Sequence, residues 1–338
     1  MPQRTPDRTK TPFELWAKQE GIPIIRGYAV KDMYQAPLGE WKRKGGLGAM
    51  IILEGGEGWT AAYVCEIPPK TSLKPQRHFF EERIYVLKGQ GETRVWADGI
   101  PEQKFAWQEY SLFSPPLNTW HQHINTGKEP ARYVAVTNAP LVFNLMRDPE
   151  FIYNCDYVFK SRYNGEKGYF DGIAKVVDEQ FVKAGFIRDV HQIETLPSAL
   201  GRITTKQLDL SYNTTSGHIG VLEPGTYKSA HRHWGGAHII IAQGTGYSLM
   251  WDDSKNKVRI DWQKGSICCP PEMWWHQHFN TGKERMIHIA LRRGMEESVG
   301  KVYVIGKGAD QIEYKDEEPD IKKMFERELA KKGLKSNM

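Results

Sequence analysis

The chain of 338 residues has no apolar run near the roughly 20 residues a membrane-spanning helix needs, so no membrane span is expected. Its amino terminus, "MPQRTPDRTKTPFELW", lacks the apolar core of a signal peptide, which points to a soluble, cytoplasmic enzyme or binding protein. Cysteine is scarce: Cys65, Cys155, Cys268 and Cys269 form neither a zinc spacing nor a disulfide ladder and are expected to be reduced packing residues. Charge of one sign is scarce too. With 46 basic and 41 acidic residues the net charge is +5, and no basic run or aromatic-basic stripe favours nucleic acid. The small basic excess suits an anionic small molecule at least as well.

What is present is a duplication. "NTGKE" occurs at 125–129 and again 155 positions later at 280–284, and the same offset superposes "WHQH" at 120–123 on 275–278 and Arg77-His78 on Arg232-His233. Carried without a gap from Pro69–Glu129 onto Pro224–Glu284, the two blocks share 23 of 61 positions, far above chance. Both read as strand, Gly-x-Gly turn, strand, followed by a Pro-Pro pair that can precede a strand but cannot sit inside one. The expected fold is all-β: two antiparallel barrels or sandwiches in tandem, since length alone suggests about two domains.

The expected divisions are an amino-terminal arm over 1–45, a first barrel over 46–148, a connector over 149–200, a second barrel over 201–316, and a carboxy-terminal helix and tail over 317–338. The helix is read from Pro319 at its first turn, Ile321, Met324, Phe325 and Leu329 on one face, and Gly333 as its stop; it should pack on a barrel or a partner.

Histidine is not abundant, 11 in all, yet three fall within "HRHWGGAH". In a strand, residues two apart share a face, so His231 and His233 project together; His238 follows after a Gly235-Gly236 bend, and His276 lies on a later strand that could close the set. Three or four neutral imidazoles suit Fe(II), Cu, Ni or Zn, with Mn less favoured in the absence of a carboxylate. His278 shares a face with His276 and is a candidate for orienting a ligand or moving protons, as more weakly is Gln243. Trp234, Trp251, Trp274 and Trp275 are candidates for the wall of an aromatic pocket, while Arg232 alternates to the outer face. In the first half Gln76 stands in the place of His231 and Arg83 in that of His238, leaving His78 and His121, with Glu81 and Glu82 nearby, for a weaker second metal site made of His78, Glu82, His121 and Gln76.

These spacings, with Pro271, His276 and Asn280 as the second part, resemble the two motifs of the cupin family, and both halves carry the resemblance; it implies a bicupin of two jelly-roll-like barrels. By that resemblance the family's glutamate position in the second half is His238. The second block is most similar to the gentisate 1,2-dioxygenase and 1-hydroxy-2-naphthoate dioxygenase group, which implies an all-histidine Fe(II) site at His231, His233 and His276. The function so implied is a non-haem Fe(II) dioxygenase that uses O2 to cleave a hydroxylated aromatic acid or a 1,3-dicarbonyl compound. The alternatives are a Mn- or Ni-dependent cupin decarboxylase, isomerase or hydrolase, or a non-catalytic metal-binding or ligand-binding bicupin. Uncovered barrel edges, the arm and the terminal helix would favour a homo-oligomer.

Overall fold

The structure, a computed structural model, describes residues 10–56, 58–254, 256–293 and 310–338; the first nine residues of the arm expected over 1–45, and 294–309 of the barrel expected over 201–316, lie outside them. Two β-barrels follow one another. In the first, the strands Gly46–Leu53, Ala61–Ile67, Ala131–Thr137, Glu82–Lys88 and Leu112–Phe113 belong to one sheet, and Trp120–Asn125, Gln90–Ala97 and Ile100–Gln108 form the other. The second repeats this order. Ile203–Leu210, Ser216–Leu222, Met286–Arg292, Ala237–Gln243 and Ile267–Cys268 face a sheet of Val258–Trp262, Gly246–Trp251, Trp275–Asn280, Ala230–His231 and Gln311–Ile312.

The strands of the larger sheets read as near-continuous apolar runs because both of their faces are buried. Tyr63, Cys65, Tyr133 and Ala135 point into the first barrel, whereas Ala62, Val64, Val134 and Val136 point the other way. They meet Ile240, Ala242, Ile287, Ile289 and Leu291, the outward residues of the second barrel, in a shared core between the barrels. Alternation along one strand therefore separates two environments, a barrel interior and an inter-barrel core.

The barrels also exchange edge strands. Ala29–Val30, from the segment leading into the first barrel, pairs antiparallel with Ile267–Cys268 of the second; Phe186–Ile187, from the segment leading into the second, pairs antiparallel with Leu112–Phe113 of the first. Each covers an edge that would otherwise present unpaired backbone groups. The arrangement has the logic of a twofold dimer, in which residues on the axis meet their own counterparts. Lys264 Nζ donates to Glu109 Oε1 at 2.7 Å, and these residues occupy the same repeat position.

Four helices are found among the described residues: α1 (Pro12–Gln19), α2 (Ala139–Met146), α3 (Pro149–Asn154) and α4 (Pro319–Ala330). A capping box starts α1, with the Thr11 side chain accepting from Glu14 N and the Glu14 carboxylate accepting from Thr11 N. The terminal helix α4 packs on its own second barrel, burying Ile321, Phe325 and Leu329 against Tyr227, Tyr247 and Phe279. No helix of the described residues is long and apolar enough to cross a membrane.

Candidate metal centres

In the second barrel His231 lies directly opposite His276 across the strand pair, and His233 follows where the chain leaves the strand. The ring centroids are 4.2 Å apart for His231 and His276, 5.0 Å for His233 and His276, and 5.6 Å for His231 and His233. One nitrogen of each lies within 4.8 Å of the others. Each Nδ1 faces a backbone carbonyl: His231 that of Ser229 at 3.3 Å, His233 that of Trp234 at 3.0 Å, and His276 that of Trp274 at 3.0 Å. A carbonyl can only accept, so Nδ1 carries the proton and Nε2 is the lone-pair atom, free to turn to the cluster in His233 and His276 and accepting from Lys228 Nζ at 3.0 Å in His231. Burial pushes the His276 ring down to about 3 and holds His231 and His233 well below the ordinary range, so all three are neutral donors.

The first barrel builds a second triad from His78, Glu82 and His121, again with one ligand atom each within 4.8 Å. His78 Nδ1 donates to the carbonyl of Phe80 at 2.8 Å and His121 Nδ1 to that of Thr119 at 3.1 Å. Their Nε2 atoms and Glu82 Oε2 are buried and have no hydrogen-bond partner. Three buried, unsatisfied acceptors aimed at one point are costly unless something positively charged joins them, so the residues fit a divalent first-row cation. Burial works to raise the Glu82 carboxyl, but the Lys44 ammonium beside it holds it well below the carboxylate range; Tyr63 Oη donates to Glu82 Oε1 at 2.6 Å and Lys44 Nζ lies 3.4 Å from the same oxygen.

Several sequence expectations change. His238 does not join the triad. It sits next to Ile239 on a strand whose odd-numbered residues face the barrel interior, so its ring points into the inter-barrel space, 3.5 Å from Thr60 Oγ1 and 3.8 Å from Cys269 Sγ. Its repeat counterpart Arg83 is turned the same way. The inward position is one residue earlier: Glu82 in the first barrel, Ala237 in the second, so the glutamate position of the motif corresponds to Ala237 rather than His238. Gln76 does not join the first triad either; it bonds His121 through the backbone while its side chain accepts from Arg43. Glu81, adjacent to Glu82, faces away and accepts from Thr214, Thr215 and Arg162. Each barrel thus brings three candidate ligand atoms together by a different route, a carboxylate in the first and a third imidazole in the second.

The tryptophans do not wall the site. Trp275 neighbours His276 and so faces outward, stacked on Trp251 at 6.5 Å with Arg232 over its ring at 4.7 Å. Trp274 packs near Tyr28, and Trp234 is exposed. Gln243 ends its strand where the pairing shifts, away from the triad. His278 does face inward; its Nδ1 is 2.8 Å from Ser248 Oγ, which also accepts from Trp262 Nε1 at 3.0 Å. The first barrel has the same relay in His123, Thr93 and Trp107.

Other interior groups were not anticipated. Lys228 is buried with Nζ 3.0 Å from His231 Nε2, and burial, with the Arg292 charge behind it, brings its ammonium down to about 7. His218 and His288 lie deeper, their ring centroids 5.5 Å apart, each with an unpartnered Nδ1. They fall outside the repeat block, yet the offset of 155 carries them onto Tyr63 and Tyr133, a signal that extending the alignment would have supplied. Gly220 makes room for the His288 ring, because a Cβ there would lie 2.3 Å from its Cε1.

Barrels in tandem with swapped edges and a candidate ligand cluster in each give the chain the tandem fold of a bicupin. The Cupin domain family model matches residues 63–137. Among solved structures, an oxalate decarboxylase from Lactobacillus farciminis in complex with formate is similar at 13% identity, over 79% of this chain and 86% of that one, with a TM-score of 0.54. The W96F oxalate decarboxylase of Bacillus subtilis is similar at 14% identity over 80% and 78%, TM-score 0.54. A further Bacillus subtilis oxalate decarboxylase structure, concerned with its Mn(II) centres, is similar at 15% identity over 80% and 78%, TM-score 0.53. No curated protein matches in sequence. At such identities the likeness establishes the fold; these structures support the bicupin reading and do not support the finer resemblance to gentisate and hydroxynaphthoate dioxygenases.

Proposed function

We propose that the protein is a metal-dependent cupin enzyme that decarboxylates a small carboxylate, with Mn(II) as the first candidate ion. The observation that carries this is the pair of triads, in which every imidazole is fixed through Nδ1 and every ligand atom converges. His231, His233 and His276 would hold one ion and His78, Glu82 and His121 another; a bound divalent ion supplies Lewis acidity and draws in carboxylate oxygens. The carboxylate among the first set suits Mn(II) or Fe(II), and the similar oxalate decarboxylases, one of them studied for its Mn(II) centres, favour the former.

The chain's own groups supply charge, proton and enclosure. Decarboxylation releases CO2 and leaves a carbon that must take up a proton. Lys228 Nζ, buried beside the triad, is placed to deliver it. Buried Leu222, Ile239 and Met286 line the same barrel and keep water out.

The test is elemental analysis of protein purified without chelators, with CO2 release and O2 uptake followed on a panel of small carboxylates that includes oxalate. Manganese near two per chain with CO2 release and no net O2 uptake is expected. A second reading, an O2-consuming iron dioxygenase for hydroxylated aromatic acids, rests on the carboxylate-free triad. Iron with O2 uptake matching substrate loss would establish it and overturn the first. We further propose a homo-oligomer, supported by exposed Leu145, Met146 and Phe151 on α2 and α3 and tested by light scattering.

A further inference from the structure

The two barrels differ systematically around their triads. In the first, Glu82 is an internal anion held by Tyr63 Oη and Lys44 Nζ. In the second, the equivalent inward position is Ala237, and opposite it Arg292 takes the place of Thr137. The donor positions are kept but their chemistry changes: Tyr63 and Tyr133 of the first barrel become His218 and His288 at the same registers, directly across from Ala290 and Gly220. Each barrel still buries one lysine at its triad, Lys44 in one and Lys228 in the other. Among the described residues no carboxylate pairs with Lys228, whose side-chain contact is the His231 imidazole at 3.0 Å.

A buried lysine beside imidazoles, with Ala237 where the first barrel has Glu82, is a site suited to an anion that the described residues do not supply. We infer that the second barrel is the ligand-binding barrel, and that a carboxylate of the substrate occupies there the place Glu82 fills in the first, held by Lys228 and by His218 and His288 behind it. The first barrel, with that place already filled by its own glutamate, binds no substrate carboxylate. The inference rests on the proposed function for its chemistry but not for its binding step.

The probe is malonate, titrated calorimetrically into the full chain both dialysed against chelator and loaded with Mn(II), with metal content measured on the same samples. One malonate per chain is expected. Lys228→Met should weaken it at least ten-fold, and Ala237→Glu, which restores the missing carboxylate, should abolish it. Glu82→Ala should open a second site and raise the stoichiometry to two. Binding of two per chain in the unmodified protein, no binding, or binding unchanged in Lys228→Met and Ala237→Glu overturns the inference. Circular dichroism and a melting curve show whether Ala237→Glu has folded, and Lys228→Met decides the matter if it has not. Lys228-dependent binding to a chain that takes up no metal would uphold this inference and sink the proposed function; metal uptake without malonate binding would do the reverse.

Discussion

Replacing Glu81 should cost more stability than replacing any other acidic residue between the barrels. Its carboxylate, 3% exposed, accepts from Thr214 N at 2.8 Å, Thr215 N at 3.1 Å, Thr215 Oγ1 at 2.9 Å and Arg162 Nη1 at 2.9 Å, with Thr214 Oγ1 3.1 Å from both oxygens. It ties a first-barrel strand to the connector and to the turn that enters Ser216–Leu222. A hydrogen bond to a charged group contributes about 1.5–3 kcal/mol, but bonds that share one acceptor are not additive. Breaking a buried ion pair by removing one partner costs about 3–5 kcal/mol, and that is the magnitude expected for Glu81→Ala. Glu81→Gln keeps one acceptor but turns an amide NH2 towards amide donors, so about 1–3 kcal/mol is expected. Urea unfolding followed by tryptophan fluorescence and circular dichroism measures both, and Glu81→Ala should also separate the transitions of the two barrels. A loss below about 0.5 kcal/mol for Glu81→Ala, the ordinary range for an exposed surface change, would refute the reasoning.

Other outcomes follow from the same geometry. His78→Ala and His233→Ala should each remove one metal per chain, and the double variant both, as read by elemental analysis. His238→Gln should leave metal content unchanged, since the ring lies outside the triad. Burial first, then the Arg83 charge, lowers His238 to about 3, below the 6.5 of an unfolded chain, so the unfolded state binds the extra proton and stability falls as pH drops from 6.5 towards 3. The wild type should therefore lose up to about 2 kcal/mol more than His238→Gln between pH 6.5 and 5, measured by urea midpoints. Gly220→Ala, whose Cβ would strike the His288 ring, should cost about 1–3 kcal/mol and shift the His288 imidazole resonances; an unshifted spectrum would contradict the packing. Phe325→Ala should cost about 3–5 kcal/mol by emptying the contact of α4 with Tyr227 and Phe279, visible as a lowered melting temperature.

The duplication, the strand-turn-strand blocks, the terminal helix and the proximity of His231, His233 and His276 were legible because each depends on local spacing. Two residues apart on a strand means one face, and identity at a fixed offset means a repeated frame. What was not legible depended on which face was which. A one-residue difference in parity sends Glu82 inward and Arg83 outward, Ala237 inward and His238 outward, and with both faces buried the hydrophobic pattern marks neither as interior. Trp251 and Trp275 were misplaced for the same reason.

By itself, then, the sequence determined two copies of one β-barrel frame and the imidazole pairs that the frame must bring close, because those follow from chain-local periodicity. Only the tertiary structure decided that the barrels share a core and exchange edge strands, and that Glu82 joins one triad while Ala237 stands in its place in the other. It alone set Lys228 against His231 and brought the rings of His218 and His288, from two strands, to 5.5 Å of each other. Those facts depend on which elements pack against which, and packing between strands far apart in the chain is not written in the spacing of either one.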